Sequence, residues 1–420
     1  MLRLGRALHA YGYAAHQLEE VLRQTSERLG LTAQFFATPT SIFASFGPQD
    51  DQRTHLMRVE PGDVNLGKLA QLDQVGRDVL DGRLTPAEGS GKIEAITQAR
   101  PLYGPILTVI AFAASSAAAS RILGGGAREI ETATLIGLLT GLLAIIAPKL
   151  PALARVFEPA AALLASAVAT AVAVRWGPIS IYITTLAGLI ILLPGLTFTL
   201  ALTELTTQNL LSGTARLASA VVTFLGVALG VALGSQIVLR LLGAPAALNV
   251  APIPLAHWTE WVALVVAPLA FVVLLKAQPR DAGWVLVVCL LGFAGGRLGS
   301  RLLDPHLGVF VGSLVVGITG SLYGRFVQRP PPVTQVPGIL LLLPGSLGFR
   351  SLAAMLDQQV VNGVEAAFTM LLTAIALVAG LLTANVLVPA GRAAPDSGSG
   401  PHALAGNRSR EYRAATESDL

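Results

Sequence analysis

The sequence predicts an all-α polytopic membrane domain of ten helices, built from two inverted five-helix repeats and preceded by a small soluble α+β domain. Three observations carry this. Of 420 residues, 53% are hydrophobic and 13% charged, roughly half the charged share of about 25% usual in soluble proteins. The first hundred positions read like a soluble domain, whereas the next stretch is a series of apolar runs with short charged joints. Finally, Leu192-Leu193-Pro194-Gly195 recurs 150 positions later as Leu342-Leu343-Pro344-Gly345, and the same displacement carries Gln208 onto Gln358, Gly213 onto Gly363 and Gly230 onto Gly380.

Taken in order, residues 1–100 form the soluble domain. Residues 1–21 mix Arg3, Arg6, His9, His16 and Glu19 without an unbroken apolar run, which argues against a cleaved secretory signal. Leu18, Val21, Leu22 and Leu29 recur at helical spacing among Glu19, Glu20, Arg23 and Arg28, which predicts an amphipathic helix over 14–29 that Gly30 can cap. Residues 33–46 read as two short strands joined near Thr38-Pro39-Thr40, residues 54–59 as a third, and residues 66–80 and 86–96 as helices.

Beyond residue 100, ten apolar runs approach the ~20 residues needed to cross a hydrocarbon core of ~30 Å. They lie near 104–124, 131–149, 157–175, 177–195, 212–242, 255–276, 281–302, 306–326, 333–350 and 362–388. Displacing the first five by 150 positions gives the second five, so the repeats occupy 101–250 and 251–390; Glu131 then falls on Asp281, each opening a helix where the macrodipole favours an acid. Five is odd, so the second repeat enters from the opposite side, and substrate sites in such inverted folds sit near the midplane where the repeats meet. Arginine and lysine in the short loops balance and set no orientation, whereas Lys92, Arg100 and Arg392 favour cytoplasmic termini. Residues 391–420, rich in Gly, Ser and Pro, predict a disordered tail.

The Pro-Gly pairs point to chemistry. Pro194 and Pro344 have no backbone N–H, and Gly195 and Gly345 have no side chain, so each pair frees carbonyls from the helical ladder at membrane depth. An amino-acid zwitterion suits such a break, with its carboxylate on helix N-terminal N–H groups and its ammonium on freed carbonyls or a carboxylate. Candidate binding and coupling residues follow each break: Thr197, Thr199, Glu204, Gln208 and Asn209 in the first copy, Ser346, Asp357 and Gln358 in the second. Glu204, an acid in an uncharged threonine-rich stretch, reads as a ligand for substrate ammonium or a carrier of the coupled proton, with Asp357 its nearest counterpart. The ordinary alternative for both is a salt bridge at a helix end. Gly226, Gly230 and Gly234, like Gly308 and Gly312, give small-xxx-small spacings for close helix packing.

With these pieces in place, the chain resembles the threonine/serine exporter (ThrE-type) family of amino-acid efflux transporters. The resemblance rests on Leu29-Gly30 and Thr38-Pro39-Thr40 in the N-terminal domain, on Leu193-Pro194-Gly195 with Asn209, Ser212-Gly213 and Ala215-Arg216-Leu217, and on Leu343-Pro344-Gly345-Ser346 with Asp357 and Gly363. It implies secondary export of threonine, serine or a similar small polar metabolite across the cytoplasmic membrane, driven by the proton gradient. Its partners would be that substrate, protons or another coupling ion, and the lipid bilayer; self-association stays open.

Other classes fit less well. The six histidines show no metal-ligand spacing and Cys289 stands alone, so no metal site, cofactor or redox chemistry is expected. The net charge of +4 comes from scattered arginines rather than a basic block, which argues against nucleic acid. A membrane-anchored hydrolase would need Ser41 or Ser45 with His55 and Asp63, without a Gly-x-Ser-x-Gly elbow. A channel for another metabolite, such as a dicarboxylate, would use Arg216 and Arg350 to attract anions.

Overall fold

The computed structural model describes residues 1–60, 62–244, 251–303, 305–342 and 360–388. The chain opens with α1 (Leu2–Ala10) and α2 (Ala15–Arg28), followed by strands β1 (Ala33–Thr38), β2 (Ser41–Phe46) and β3 (Arg53–Arg58) and by helices α3 (Leu66–Leu80) and α4 (Pro86–Gln98). The strands form an antiparallel sheet in the order β1-β2-β3, with Thr38 opposite Ser41 at the first turn. Helix α2 stops where expected, because Gly30 takes φ +68° and lets the Leu31 N–H return to the Ser26 carbonyl at 2.9 Å. The side chain of Asn65 caps α3, and Thr85 with Glu88 forms a capping box on α4. Leu8, Leu18, Leu22, Ile42, Leu69 and Leu72 close one core beneath the sheet. Helix α1 is an addition to the sequence reading: Leu4, Ala7 and Leu8 have helical spacing, but Arg3, Arg6 and His9 between them hide it.

The apolar region contains α5 (Pro105–Ile122), α6 (Ala127–Ile146), the short α7 (Pro151–Ala154), α8 (Phe157–Arg175), α9 (Ile181–Leu189), α10 (Gly195–Thr206) and α11 (Leu210–Leu242). Then come α12 (Trp258–Leu274), α13 (Ala282–Leu302), α14 (Pro305–Val327), α15 (Pro332–Leu341) and α16 (Val360–Leu387). Seven helices among the described residues are long and apolar enough to cross a membrane: α5, α6, α8, α11, α13, α14 and α16. Of the other three expected spans, 255–276 becomes the 17-residue α12, 177–195 supplies only the 9-residue α9, and 333–350 carries the 10-residue α15 in its described part, its residues 343–350 lying outside the described residues. Proline explains the first short piece. A proline ring clashes with the carbonyl four residues earlier, which for Pro194 belongs to Ile190, and α9 ends at Leu189.

The 150-residue displacement pairs α5 with α12, α6 with α13, α8 with α14, α9 with α15 and α11 with α16, to within about two helical turns. Contacts recur with it. Helix α8 runs along α11, as α14 runs along α16. At Gly230 an added Cβ would strike the Pro159 carbonyl of α8, and at Gly380 it would come within 2.5 Å of the Phe310 carbonyl of α14. A buried acid also fastens the start of α6 and of α13. Glu129 accepts the N–H groups of Gly126 and Ser180, each at 3.0 Å, tying α6 to the loop before α9. Asp281 accepts the Tyr323 hydroxyl at 2.9 Å and Arg329 Nη1 at 2.6 Å, tying α13 to the loop before α15. The first-turn acid that reaches back to its N-cap is therefore Glu129; Glu131, matched to Asp281 by the sequence displacement, is exposed.

Each half completes the other's core. Met370, Ala374 and Val378 of α16 join the cluster built on α6, α8, α9 and α11. Ala118 of α5 and Leu66 and Ala70 of α3 join the cluster built on α12, α13 and α15.

Candidate functional site at the Pro-Gly break

The N–H groups of Leu192 and Leu193 both turn back to the Leu189 carbonyl, at 2.8 and 3.2 Å, and Gly195 N–H reaches the Leu193 carbonyl at 2.8 Å. Pro194 then serves as N-cap of α10. Among the described residues the carbonyls of Ile190, Ile191 and Leu192 accept no backbone N–H. The break also lies where the halves meet: Ile190 and Leu193 share a core with α16, whereas Ile191 packs into the core of α12, α13 and α15. Among the described residues, backbone acceptors without a backbone donor thus lie at the boundary between the halves, and such groups need a partner away from bulk water.

Beyond the break, α10 and α11 form a tight hairpin. Asn209 N–H returns to the Glu204 carbonyl at 2.8 Å and Gln208 N–H to that of Leu205 at 3.2 Å, with Gln208 in the left-handed region at φ +65°. At Gly213 an added Cβ would stand 2.9 Å from the Ala201 carbonyl, so its absence lets α11 fold back onto α10. Glu204 consequently faces Ser212 and Arg216, which lie four residues apart on one face of α11.

Glu204 is fully buried and its carboxylate is occupied. Oε2 accepts the Ser212 hydroxyl at 2.8 Å and lies 3.0 Å from Arg216 Nε; Oε1 accepts Arg216 Nε at 3.1 Å and the backbone N–H of Ala15 at 3.0 Å. Ala15 begins α2, so the carboxylate also satisfies an orphan donor at a helix N-terminus, where negative charge is favoured. Three titratable groups of α1 and α2 feel this centre. Burial pushes the imidazoles of His9 and His16 below their usual range, opposed by the Glu204 charge. Burial pushes the Glu19 carboxyl up, and there the Glu204 charge adds to the shift.

The N-terminal unit is fastened to the second half too. Leu66 and Gly67, at the start of α3, donate their N–H groups to the carbonyls of Leu275 and Lys276, each at 3.0 Å. Lys276 presents its carbonyl from a left-handed conformation, φ +55°, and its ammonium pairs with Asp63 at 3.3 Å. Between the N-terminal unit and the α10–α11 hairpin lies a cavity of about 680 Å³, walled by His9 and the Thr38–Ser41 turn on one side and by Thr197, Leu200 and Arg216 on the other.

The structure thus distributes the nominated residues. Pro194 and Gly195 form the break, Thr197 lines the cavity, and Thr199 is buried with its hydroxyl on the Gly195 carbonyl at 2.9 Å. Gln208 and Asn209 build the hairpin turn rather than the cavity wall. Pro344, Gly345, Ser346, Asp357 and Gln358 lie outside the described residues. Sequence reasoning did not bring Ala15 to Glu204 or His9 to the cavity, contacts across nearly two hundred residues that no local pattern encodes. The hydrolase constellation is not assembled. Ser41 bonds Thr38, Ser45 bonds Thr54, His55 stacks edge-on to Phe46, and Asp63 pairs with Lys276.

The long apolar helices, broken at Pro194-Gly195 and joined to an α+β unit bonded to both halves, define a polytopic helical membrane protein. The chain belongs to the threonine/serine exporter family: residues 1–238 match the family described as "Putative threonine/serine exporter" and residues 260–387 the one described as "Threonine/Serine exporter, ThrE". Pheromone-regulated membrane protein 10 of Yarrowia lipolytica is 28% identical over 83% of this chain and 30% of its own length. The proteins of that name from Candida albicans (strain WO-1) and Eremothecium gossypii are each 26% identical over 84% of this chain, and over 33% and 48% of their own lengths. The chain therefore spans less than half the length of these relatives. No solved structure matches.

Proposed function

We propose that the protein is a secondary active transporter that exports small polar amino acids, threonine and serine foremost, across the cytoplasmic membrane, with both termini in the cytoplasm. The observation that supports this best is the set of carbonyls at Ile190, Ile191 and Leu192, which accept no backbone N–H among the described residues and lie at the Pro194-Gly195 break where the halves meet. Such carbonyls suit a substrate ammonium, and the N-terminal end of α10 suits its carboxylate. The paired helices would be inverted repeats, with Pro344, Gly345, Ser346, Asp357 and Gln358 supplying the second wall.

Glu204 is the candidate for proton coupling. A proton on its carboxylate would weaken the pairing with Arg216 and loosen the bond to Ala15, so charge state and attachment of the N-terminal unit would change together. Counterflow of radiolabelled threonine and serine in proteoliposomes under an imposed pH gradient tests the reading. Wild type should exchange both, and Gly195→Leu should abolish exchange while inserting normally. Exchange by the variant at wild-type rate would move the site away from the break, and a wild type inert to both amino acids would remove the cargo.

A further inference from the structure

Leu211, Ala215 and Ser219 form the α11 wall of the cavity between the N-terminal unit and the α10–α11 hairpin, and all three are exposed. With about 3.6 residues per turn, they share one face of the helix with Val222, Leu225 and Leu229, which are exposed as well. Helix α11 is long and apolar enough to cross the membrane, so this exposed apolar stripe meets acyl chains along its length. The same stripe that faces lipid becomes the cavity wall near the start of the helix, and the cavity therefore opens sideways towards the leaflet. The opposite wall is apolar too. Phe43 of β2 lines the cavity and stands in one cross-strand row with Phe36 of β1 and Leu56 of β3, all exposed. The rings of Phe36 and Phe43 lie 6.0 Å apart on that outer face of the sheet. Exposed aromatic and leucine side chains beside a bilayer settle at the boundary between headgroups and chains.

Arg216 supplies a cation between these apolar walls. Only its Nε is bonded to Glu204; Nη1 and Nη2 have no hydrogen-bond partner among the described residues, and neither is sealed from the cavity that the residue lines. Glu204 is also held by the Ser212 hydroxyl and by the positive end of α2, so it does not fully neutralise the guanidinium. Among the described residues no carboxylate lines the cavity, and Thr40, Thr197 and Ser219 add hydroxyl donors. A guanidinium with two open nitrogens suits a phosphate, which it binds bidentately.

We propose that this cavity binds the headgroup of an anionic phospholipid. Its phosphate sits on Nη1 and Nη2 of Arg216, its chains follow Val222, Leu225 and Leu229, and Phe43 covers its glycerol region. Basic pockets at the ends of membrane-spanning helices hold lipid headgroups in this way. The lipid fills the seam between the N-terminal unit and the membrane region beside the Glu204 fastening, and the site is independent of which solute is exported. At about 680 Å³ the cavity has room for a headgroup with several waters.

Native mass spectrometry of the full chain in a neutral maltoside tests the site with three probes: phosphatidylglycerol, diacylglycerol with the same chains but no phosphate, and glycerol 3-phosphate, which has no chains. One phosphatidylglycerol should bind roughly tenfold more tightly than the diacylglycerol, and glycerol 3-phosphate should not displace it. Ala215→Leu and Ser219→Leu, which fill the cavity from α11, should each weaken that lipid by a similar factor, whereas Leu298→Val on the exposed surface of α13 should leave it unchanged. Arg216→Gln combined with Glu204→Gln, which leaves neither charge without its partner, should bring phosphatidylglycerol down to the diacylglycerol level. Equal binding of the two lipids by wild type would overturn the site, as would wild-type affinity in both Ala215→Leu and Ser219→Leu. Displacement by glycerol 3-phosphate would assign the cavity to a soluble phosphate and overturn the lipid.

Discussion

The carboxylate of Glu204 and the backbone N–H of Ala15 are 189 positions apart in the chain and 3.0 Å apart in space. A side chain of the membrane region thereby completes the first turn of a helix in the N-terminal unit. Glu204→Ala would remove that acceptor and leave Arg216, whose side chain is 15% exposed, without its anion. Breaking a buried pair from one side costs about 3 kcal/mol or more. Hydrogen exchange should accelerate selectively in the first turn of α2, and Glu204→Gln, which keeps an acceptor for Ala15, should accelerate it less.

Asp281 and Arg329 form the corresponding clasp on α13. Asp281→Asn would leave Arg329 facing a neutral amide while retaining an acceptor for Tyr323. A loss of about 2 kcal/mol is expected from weakening this charge-assisted bond, read as a lower unfolding temperature in detergent. Asp281→Ala should lower it further.

Gly230 and Gly380 hold equivalent crossings, so alanine at either should force α8 from α11 or α14 from α16. Overpacking of this kind costs about 1–3 kcal/mol. Both variants should lose stability by similar amounts in thermal unfolding. Gly283, with open space around its Cβ, should accept alanine without loss.

Acid should loosen the N-terminal unit. His9 and His16 have folded-state values below the ordinary ~6.5, so as pH falls below that value the unfolded chain takes up protons that the folded chain refuses. Stability is full above ~6.5 and declines as pH drops towards the folded values. Glu19, shifted upwards, acts in the opposite sense, gaining stability as pH falls through its folded value. Two histidines against one carboxylate give a net decline between pH 7.5 and 5.5, measurable as faster proteolysis of residues 1–60. His16→Gln should flatten the profile.

Much of the architecture is local and was legible. The three strands, the Gly30 cap, helices α2 to α4 and the long apolar helices follow from spacing and capping chemistry within a few residues. The displacement of 150 positions matched spans, not contacts; that α8 lies along α11 as α14 lies along α16 is visible only in the structure. The site was legible only in part. Pro194 announces a break because its ring acts on Ile190, four positions away, whereas the partners of Glu204 depend on how two helices and a distant unit dock. Gln208 shows the limit: a polar side chain beside a break reads as a ligand, but its left-handed backbone and turn hydrogen bonds make it the corner of a hairpin.

The two fastenings of the N-terminal unit differ in kind. On the α10–α11 side the acceptor is a carboxylate, which can take up a proton or be exchanged by one codon. On the α12–α13 side, beside the exposed Lys276–Asp63 pair, the acceptors are the backbone carbonyls of Leu275 and Lys276, which have no proton to gain. Loss of the Glu204 contact would therefore leave the backbone bonds of Leu66 and Gly67 to Leu275 and Lys276 intact, and the N-terminal unit would stay attached to the second half.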